Sequence, residues 1–219
     1  MPVPPQPKIF HIIHYDRLAS VIADGHLWCD AVMVSRQPIG TTIGMSKIKE
    51  RRLNNQLDSH TGLKVGECVP FYFCARSVML YLIHKANDPE LAYKGGEDPI
   101  VHLQADFHSV VAWAASQDRR WAVTLSNAGS RYFEDRTGAL CLEEVQWPSV
   151  QSQWWSGRDV PGSVKEEKQA EFLVEHSFPW HLVEKIGVKS NAIAGHVHNS
   201  FGTTAHRPTV EIHRDWYYG

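Results

Sequence analysis

Cysteine is scarce in this 219-residue chain, and the four present (Cys29, Cys68, Cys74 and Cys141) include no C-x-x-C pair. That wide spacing gives no sign of a disulfide framework. With no basic-then-apolar leader in Met-Pro-Val-Pro-Pro, the thiols read as the reduced ones of a cytoplasmic protein. No window holds the ~18 consecutive apolar residues of a membrane span. No charge of one sign dominates either: 22 Lys and Arg face 24 Asp and Glu, a net charge of −2. A strong nonspecific grip on duplex DNA is not expected from that balance. The chain also lacks G-x-x-x-x-G-K-[ST], G-x-G-x-x-G between strand and helix, and G-x-S-x-G. Nothing therefore points to a P-loop, a Rossmann site or a hydrolase elbow.

What is there fits one globular domain spanning 1–219, with 43% hydrophobic and 21% charged residues. After a Pro-rich lead-in at 2–7, residues 8–13 read as a strand. A helix over about 16–24 follows, with Asp16 as N-cap and Gly25 as stop. Residues 35–44 are rich in Ser, Thr, Gly and Pro and read as an exposed loop, and a helix covers about 45–54. Residues 69–74 read as a buried strand, with apolar structure continuing over 79–84. The clearest helix is 107–117, where Phe107, Val110, Val111, Ala114 and Ala115 recur at helical spacing behind Asp106. Further strands are expected at 99–104, 121–125, 170–176, 184–189 and 208–213, which makes a mixed α/β or α+β domain. The Trp-rich stretch 147–162 is too irregular for an element. It is either an aromatic cover for the core or a functional loop.

Metal chemistry finds little support. His11 and His14, three apart on a strand, point to opposite faces. His196 and His198 have no third ligand at a zinc-like spacing. Two charged segments are more informative. In Lys165–Val174, Gln169 and Glu171 are two apart at the start of a β-like run and converge on one side. A carboxylate there suits a ribose hydroxyl and the positive charge of an oxocarbenium-like transition state, although a solvated charge run leading into a strand has the same pattern. In Lys47-Ile-Lys-Glu-Arg-Arg52, Arg51 and Arg52 lie on adjacent faces of a helix, so one turns inward while the other meets solvent. That suits phosphate contacts, and it equally suits an exposed basic helix.

Taken together, Ile9–His14, Ile48–Arg52, Val69–Tyr81, Lys168–Val174 and the ending Arg214–Tyr218 resemble, in order and spacing, the DarT family of bacterial toxins that ADP-ribosylate single-stranded DNA. The resemblance implies an α+β ADP-ribosyltransferase fold with two small facing β-sheets around an NAD cleft. It implies NAD as co-substrate, no metal, and a macrodomain antitoxin of the DarG type. Glu171 and Arg52 match the catalytic glutamate and arginine. His11, Ile13, Met79, Tyr72 and Arg52 fall in the cofactor-binding set, with His11 on a ribose and Met79 against nicotinamide. Lys47, Arg51, Trp154 and Trp155 are the expected contacts to the DNA strand. Asn127 stands where some relatives carry histidine and is left out of the catalytic set. The target base is expected to be thymidine. The same transfer to guanine and a non-catalytic NAD- or nucleic-acid-binding module are the alternatives.

Overall fold

The computed structural model describes residues 2–36 and 39–219. Its elements are β1 (Lys8–His14), α1 (Leu18–Asp24), β2 (His26–Trp28), α2 (Asp30–Ser35), α3 (Ser46–Arg52), β3 (Cys68–Tyr72) and α4 (Val78–Lys85). They continue as β4 (Ile100–Asp106), α5 (Phe107–Ser116), β5 (Trp121–Thr124), β6 (Asp135–Arg136), α6 (Trp147–Gln151) and α7 (Gly162–Glu167). The chain closes with β7 (Glu171–Glu175), β8 (Ser177–Pro179), β9 (Lys185–Val188), α8 (Asn191–Ser200) and β10 (Thr209–Ile212). No described helix is long and apolar enough to cross a membrane.

Eight strands are ordered β10-β9-β4-β1-β3-β7-β5-β6, and β2 pairs with β8 in a separate ribbon. The two expected small sheets are recognisable as the two four-stranded halves of this order. They are hydrogen-bonded to each other along one thin seam. β1 pairs with β4 over seven residues, from Lys8↔Asp106 to His14↔Ile100, and β3 pairs with β7 over five. β1 and β3 share a single register pair, Phe10↔Tyr72.

Strand alternation sorts the side chains of β1. Ile9 and Ile13 enter the main core with Val69, Phe71, Leu103, Phe107 and Phe172. Ile12 enters a second cluster with Ile43, Met45, Leu80, Ile83 and Ile100. His11 shares the face of Ile9 and Ile13, and its ring lies 5.5 Å from that of Phe71. α5 forms as its apolar spacing dictates, and the Asp106 carboxylate caps it by accepting from Ser109 N. Helix α3 ends two residues before the expected boundary, with Arg52 as its buried last residue.

Three local expectations are corrected. Asp16 is not the N-cap of α1. It sits in a 3-10 turn (Tyr15–Arg17), and its carboxylate accepts from Thr41 N at 3.0 Å and Thr41 Oγ1 at 2.7 Å. The 35–44 stretch is not an exposed loop throughout: Gln37 and Pro38 lie outside the described residues, Ile39 is exposed, and Ile43 is buried under α4. The Trp-rich stretch contains α6 and leads into α7, because Trp147 is buried as the first residue of a turn that Pro148 starts without loss.

Candidate active site

A cavity of about 450 Å³ opens beside the β1–β3 seam, within the range that takes a small molecule or cofactor. It is lined by residues from both halves of the sheet and from α1, α2, α3 and α4. His11, Ile13, Arg52, Tyr72, Met79 and Glu171, the six residues expected at the catalytic and cofactor positions, all line it.

At its centre are two charges 119 residues apart in the chain. Arg52 Nη1 donates to Glu171 Oε2 at 2.9 Å and to Oε1 at 3.2 Å. Arg52 is 7% exposed and Glu171 2%. The register of the sheet places Glu171 between Tyr72 on β3 and Thr124 on β5. Ala128 N donates to Glu171 Oε1 at 3.1 Å, and Glu171 N donates to Thr124 Oγ1 at 3.1 Å, so both ends of the residue are tethered. Desolvation works against the Arg52 charge. The Glu171 carboxylate outweighs it and holds the guanidinium above its ordinary value. The second terminal nitrogen, Nη2, is buried with no hydrogen-bond partner among the described residues. An orphaned donor of this kind costs free energy unless a ligand satisfies it.

His11 Nδ1 donates to the Pro70 carbonyl at 2.7 Å. Desolvation pulls the ring down to about 4, although the Pro70 carbonyl acts in the opposite direction. The imidazole is therefore neutral near pH 7, with Nε2 free to accept from a hydroxyl. Burial, and then the Glu171 carboxylate, push the Tyr72 phenol up, so Tyr72 keeps its proton. Gln169 and Asn127 also line the cavity, and Asn127 Nδ2 donates to Gln169 Oε1 at 3.0 Å. Gln169 and Glu171 do border one hollow, although Gln169 lies in the turn after α7 and not on β7, so strand alternation is not what brings them together.

A family model described as "ssDNA thymidine ADP-ribosyltransferase, DarT" matches residues 10–218. The chain belongs to the DarT family. A DNA ADP-ribosyl transferase of Thermus sp. (strain 2.9) is 33% identical, with 98% of each chain covered. One from Thermus aquaticus is 32% identical, covering 96% of this chain and 88% of its own. The fold superposes on Thermus sp. 2.9 DarT in complex with ADP-ribosylated ssDNA with a TM-score of 0.88 and 30% identity, over 100% and 99% of the two chains. It superposes on the same DarT in complex with NAD+ with a TM-score of 0.82 and 28% identity, over 99% and 100%. The α+β ADP-ribosyltransferase fold is that of the DarT family.

The four residues expected on DNA lie outside this cavity, and the structure separates them. Trp155 is corrected: it is 5% exposed, its Nε1 donates to Tyr218 Oη at 3.1 Å, and its ring meets Tyr81 edge-on at 5.0 Å. A buried indole cannot stack on a base. Its neighbour Trp154 is 82% exposed. Lys47 and Arg51 are exposed on the outer face of α3, and Lys47 Nζ is paired with Glu90 at 2.5 Å. Lys49, on the inner side of the same helix, lines the cavity and pairs with Asp30 Oδ1 at 3.0 Å. Sequence reasoning passed over Thr124, Ala128 and Asp30. They act through a strand neighbour, a backbone amide and a short helix, and none carries a local motif. Among the described residues, no three His, Cys, Asp or Glu side chains are grouped to hold a metal ion.

Proposed function

We propose that this protein transfers ADP-ribose from NAD to a thymidine base in single-stranded DNA, with Glu171 and Arg52 as the catalytic pair. The nicotinamide–ribose bond breaks, the ribose carbon forms a bond to a thymine ring nitrogen, and the proton on that nitrogen leaves. The products are nicotinamide, the modified strand and a proton. Glu171, held by three contacts from two donors, Arg52 Nη1 and Ala128 N, steadies the sugar cation as the first bond weakens. Neutral His11 accepts from a ribose hydroxyl, and Met79 and Tyr72 border the nicotinamide.

Arg52 carries the acceptor side. Its Nη1 is spent on Glu171, and its Nη2 is buried and unpartnered, so it is positioned to donate to a thymine carbonyl as negative charge develops on the base. That orphaned donor beside a tethered carboxylate is the observation that carries the reading. The Glu171 carboxylate holds the Arg52 guanidinium protonated, so Arg52 orients and polarises the base and does not remove the proton itself. The base must leave any stack to reach the cavity, so a single strand is the substrate and a duplex a poor one.

The strand crosses the exposed Trp154, where one stacked base contributes about 1–3 kcal/mol. Lys47 and Arg51 lie on the outer face of α3, where they meet the phosphates of flanking nucleotides. DNA modification makes the protein a toxin acting in the cytoplasm. Its neutralising partner is a macrodomain antitoxin of the DarG type, a role that family membership supports.

The test is mass spectrometry of single-stranded oligonucleotides, each holding one type of reactive base, after incubation with enzyme and NAD. ADP-ribose added to the thymine oligonucleotide alone, and lost with Glu171→Gln, is the expected result. Modification of the guanine oligonucleotide would move the assignment to that base, and unchanged masses throughout would leave a binding module.

A further inference from the structure

One wall of the cavity is a helical stripe. Arg17, immediately before α1, and Ser20, Val21 and Asp24 within it recur at i, i+3, i+4 and i+7, and all four line the hollow. Arg17 is half-buried, and its guanidinium makes no hydrogen bond or ion pair with a described residue. The two carboxylates nearest to it are committed elsewhere. Asp16 accepts from Thr41 and lies 2.9 Å from His14 Nδ1, and Asp30 is paired with Lys49. Desolvation accordingly holds Arg17 below the ordinary arginine value, with Asp16 and Asp30 only partly offsetting it. A cation that is partly dehydrated, unpaired among the described residues and lining a cavity calls for an anion.

Position narrows the anion. Arg17 lies close enough to His11 for its charge to depress that ring further. From Arg17 the stripe runs seven residues, about 10 Å of helix, to Asp24. Asp24 Oδ2 accepts from Trp28 Nε1 at 2.7 Å, and Trp28 pairs with Ser177 just past the far end of β7, the strand that Glu171 opens. Arg17 therefore stands between the groups at the ribose and reacting end and a second, aromatic end of the cavity.

We propose that Arg17 binds the diphosphate of NAD. The inference rests on the reading of this cavity as the NAD site. The planar guanidinium offers parallel donors to two phosphate oxygens, which a point-charge ammonium matches less well. The diphosphate does not change charge during the transfer. Arg17 holds it equally in ground and transition states and acts on NAD capture rather than on the chemical step.

The experiment measures ADP-ribose and adenosine binding by calorimetry, and NAD kinetics on a thymine oligonucleotide, for the wild type, Arg17→Ala, Arg17→Gln and Arg17→Lys. With Arg17→Ala and Arg17→Gln, ADP-ribose affinity falls about 10–100-fold, the loss of a charge-assisted contact. Adenosine affinity and the melting temperature stay at wild-type values. KM for NAD rises in parallel while kcat stays within about twofold, and Arg17→Lys recovers part of the loss. Unchanged ADP-ribose affinity in Arg17→Ala overturns the assignment of Arg17 alone, as does an equal loss of adenosine. A wild type that binds no ADP-ribose overturns the NAD reading of the cavity itself.

Discussion

Replacing Arg52 with lysine separates its two contributions. In the native site Nη1 serves both oxygens of Glu171, at 2.9 and 3.2 Å, and Nη2 is buried without a partner. A lysine ammonium can still neutralise Glu171 from the last turn of α3, but it cannot extend a second, coplanar donor to the base. Stability should therefore change little. Stripping one partner from a buried pair costs about 3–5 kcal/mol, and that larger loss is expected of Arg52→Met. The reaction loses one hydrogen bond to a group gaining charge, worth about 1.5–3 kcal/mol. At about 1.4 kcal/mol per factor of ten, the rate falls roughly 10–150-fold. Initial rates on a thymine-only strand at saturating NAD, measured beside urea unfolding, give both quantities. A lysine variant that modifies DNA at the wild-type rate refutes the role of the second donor. A methionine variant that unfolds at the wild-type midpoint refutes the energetic argument for the pair.

Adjacent tryptophans should behave as opposites. Trp155→Ala removes a core side chain and lowers stability by about 3–5 kcal/mol. Trp154→Ala leaves the unfolding midpoint unchanged and weakens strand binding by about 1–3 kcal/mol, both read by urea titration and fluorescence anisotropy. Acid should destabilise the fold early. Burial holds fully enclosed His102 down at about 4 against 6.5 when free, so the unfolded chain binds the proton more tightly. Its contribution is complete above pH 6.5 and drains away as the pH falls from there towards 4, by up to about 3 kcal/mol. Urea midpoints at pH 7.5 and pH 5 should therefore differ by less in His102→Gln than in the wild type. Gly129→Ala places a Cβ 2.7 Å from Ile48 Cγ2 and 3.0 Å from Asn127 Oδ1. The clash displaces α3 and with it Arg52, lowering both transfer rate and stability, the latter by about 1–3 kcal/mol.

Periodicity made much of the fold legible. α5 and its Asp106 cap, β1, β3, β4, β7 and β9 all fall where apolar spacing puts them, because their buried faces repeat regularly. α2 and α8 went unseen. Asp30–Ser35 is only six residues long, and the Asn191–Ser200 helix buries little beyond Val197, so neither writes a strong stripe. The family resemblance brought Arg52 and Glu171 forward together. No local pattern could show that one nitrogen spans both carboxylate oxygens, since the pairing depends on α3 docking against β7 across 119 residues. The difference between Trp154 and Trp155 was likewise unreadable. Identical residues side by side are distinguished by Tyr218, more than sixty positions away, which receives one indole and not the other.

The slender junction between β1 and β3 has a mechanical meaning. His11 belongs to one leaf of the sheet, and Tyr72 and Glu171 to the other, with Phe10 and Tyr72 forming the spine between them. Within the leaves the ladders run over two to seven register pairs, whereas the spine has one, so flexure there would disturb the fewest backbone hydrogen bonds. A small change in the dihedral angle between the leaves alters the gap from sugar-holding imidazole to carboxylate without breaking either ladder. In such a molecule the span that the sugar must bridge is fixed by an angle between two sheets as well as by the side chains at its ends.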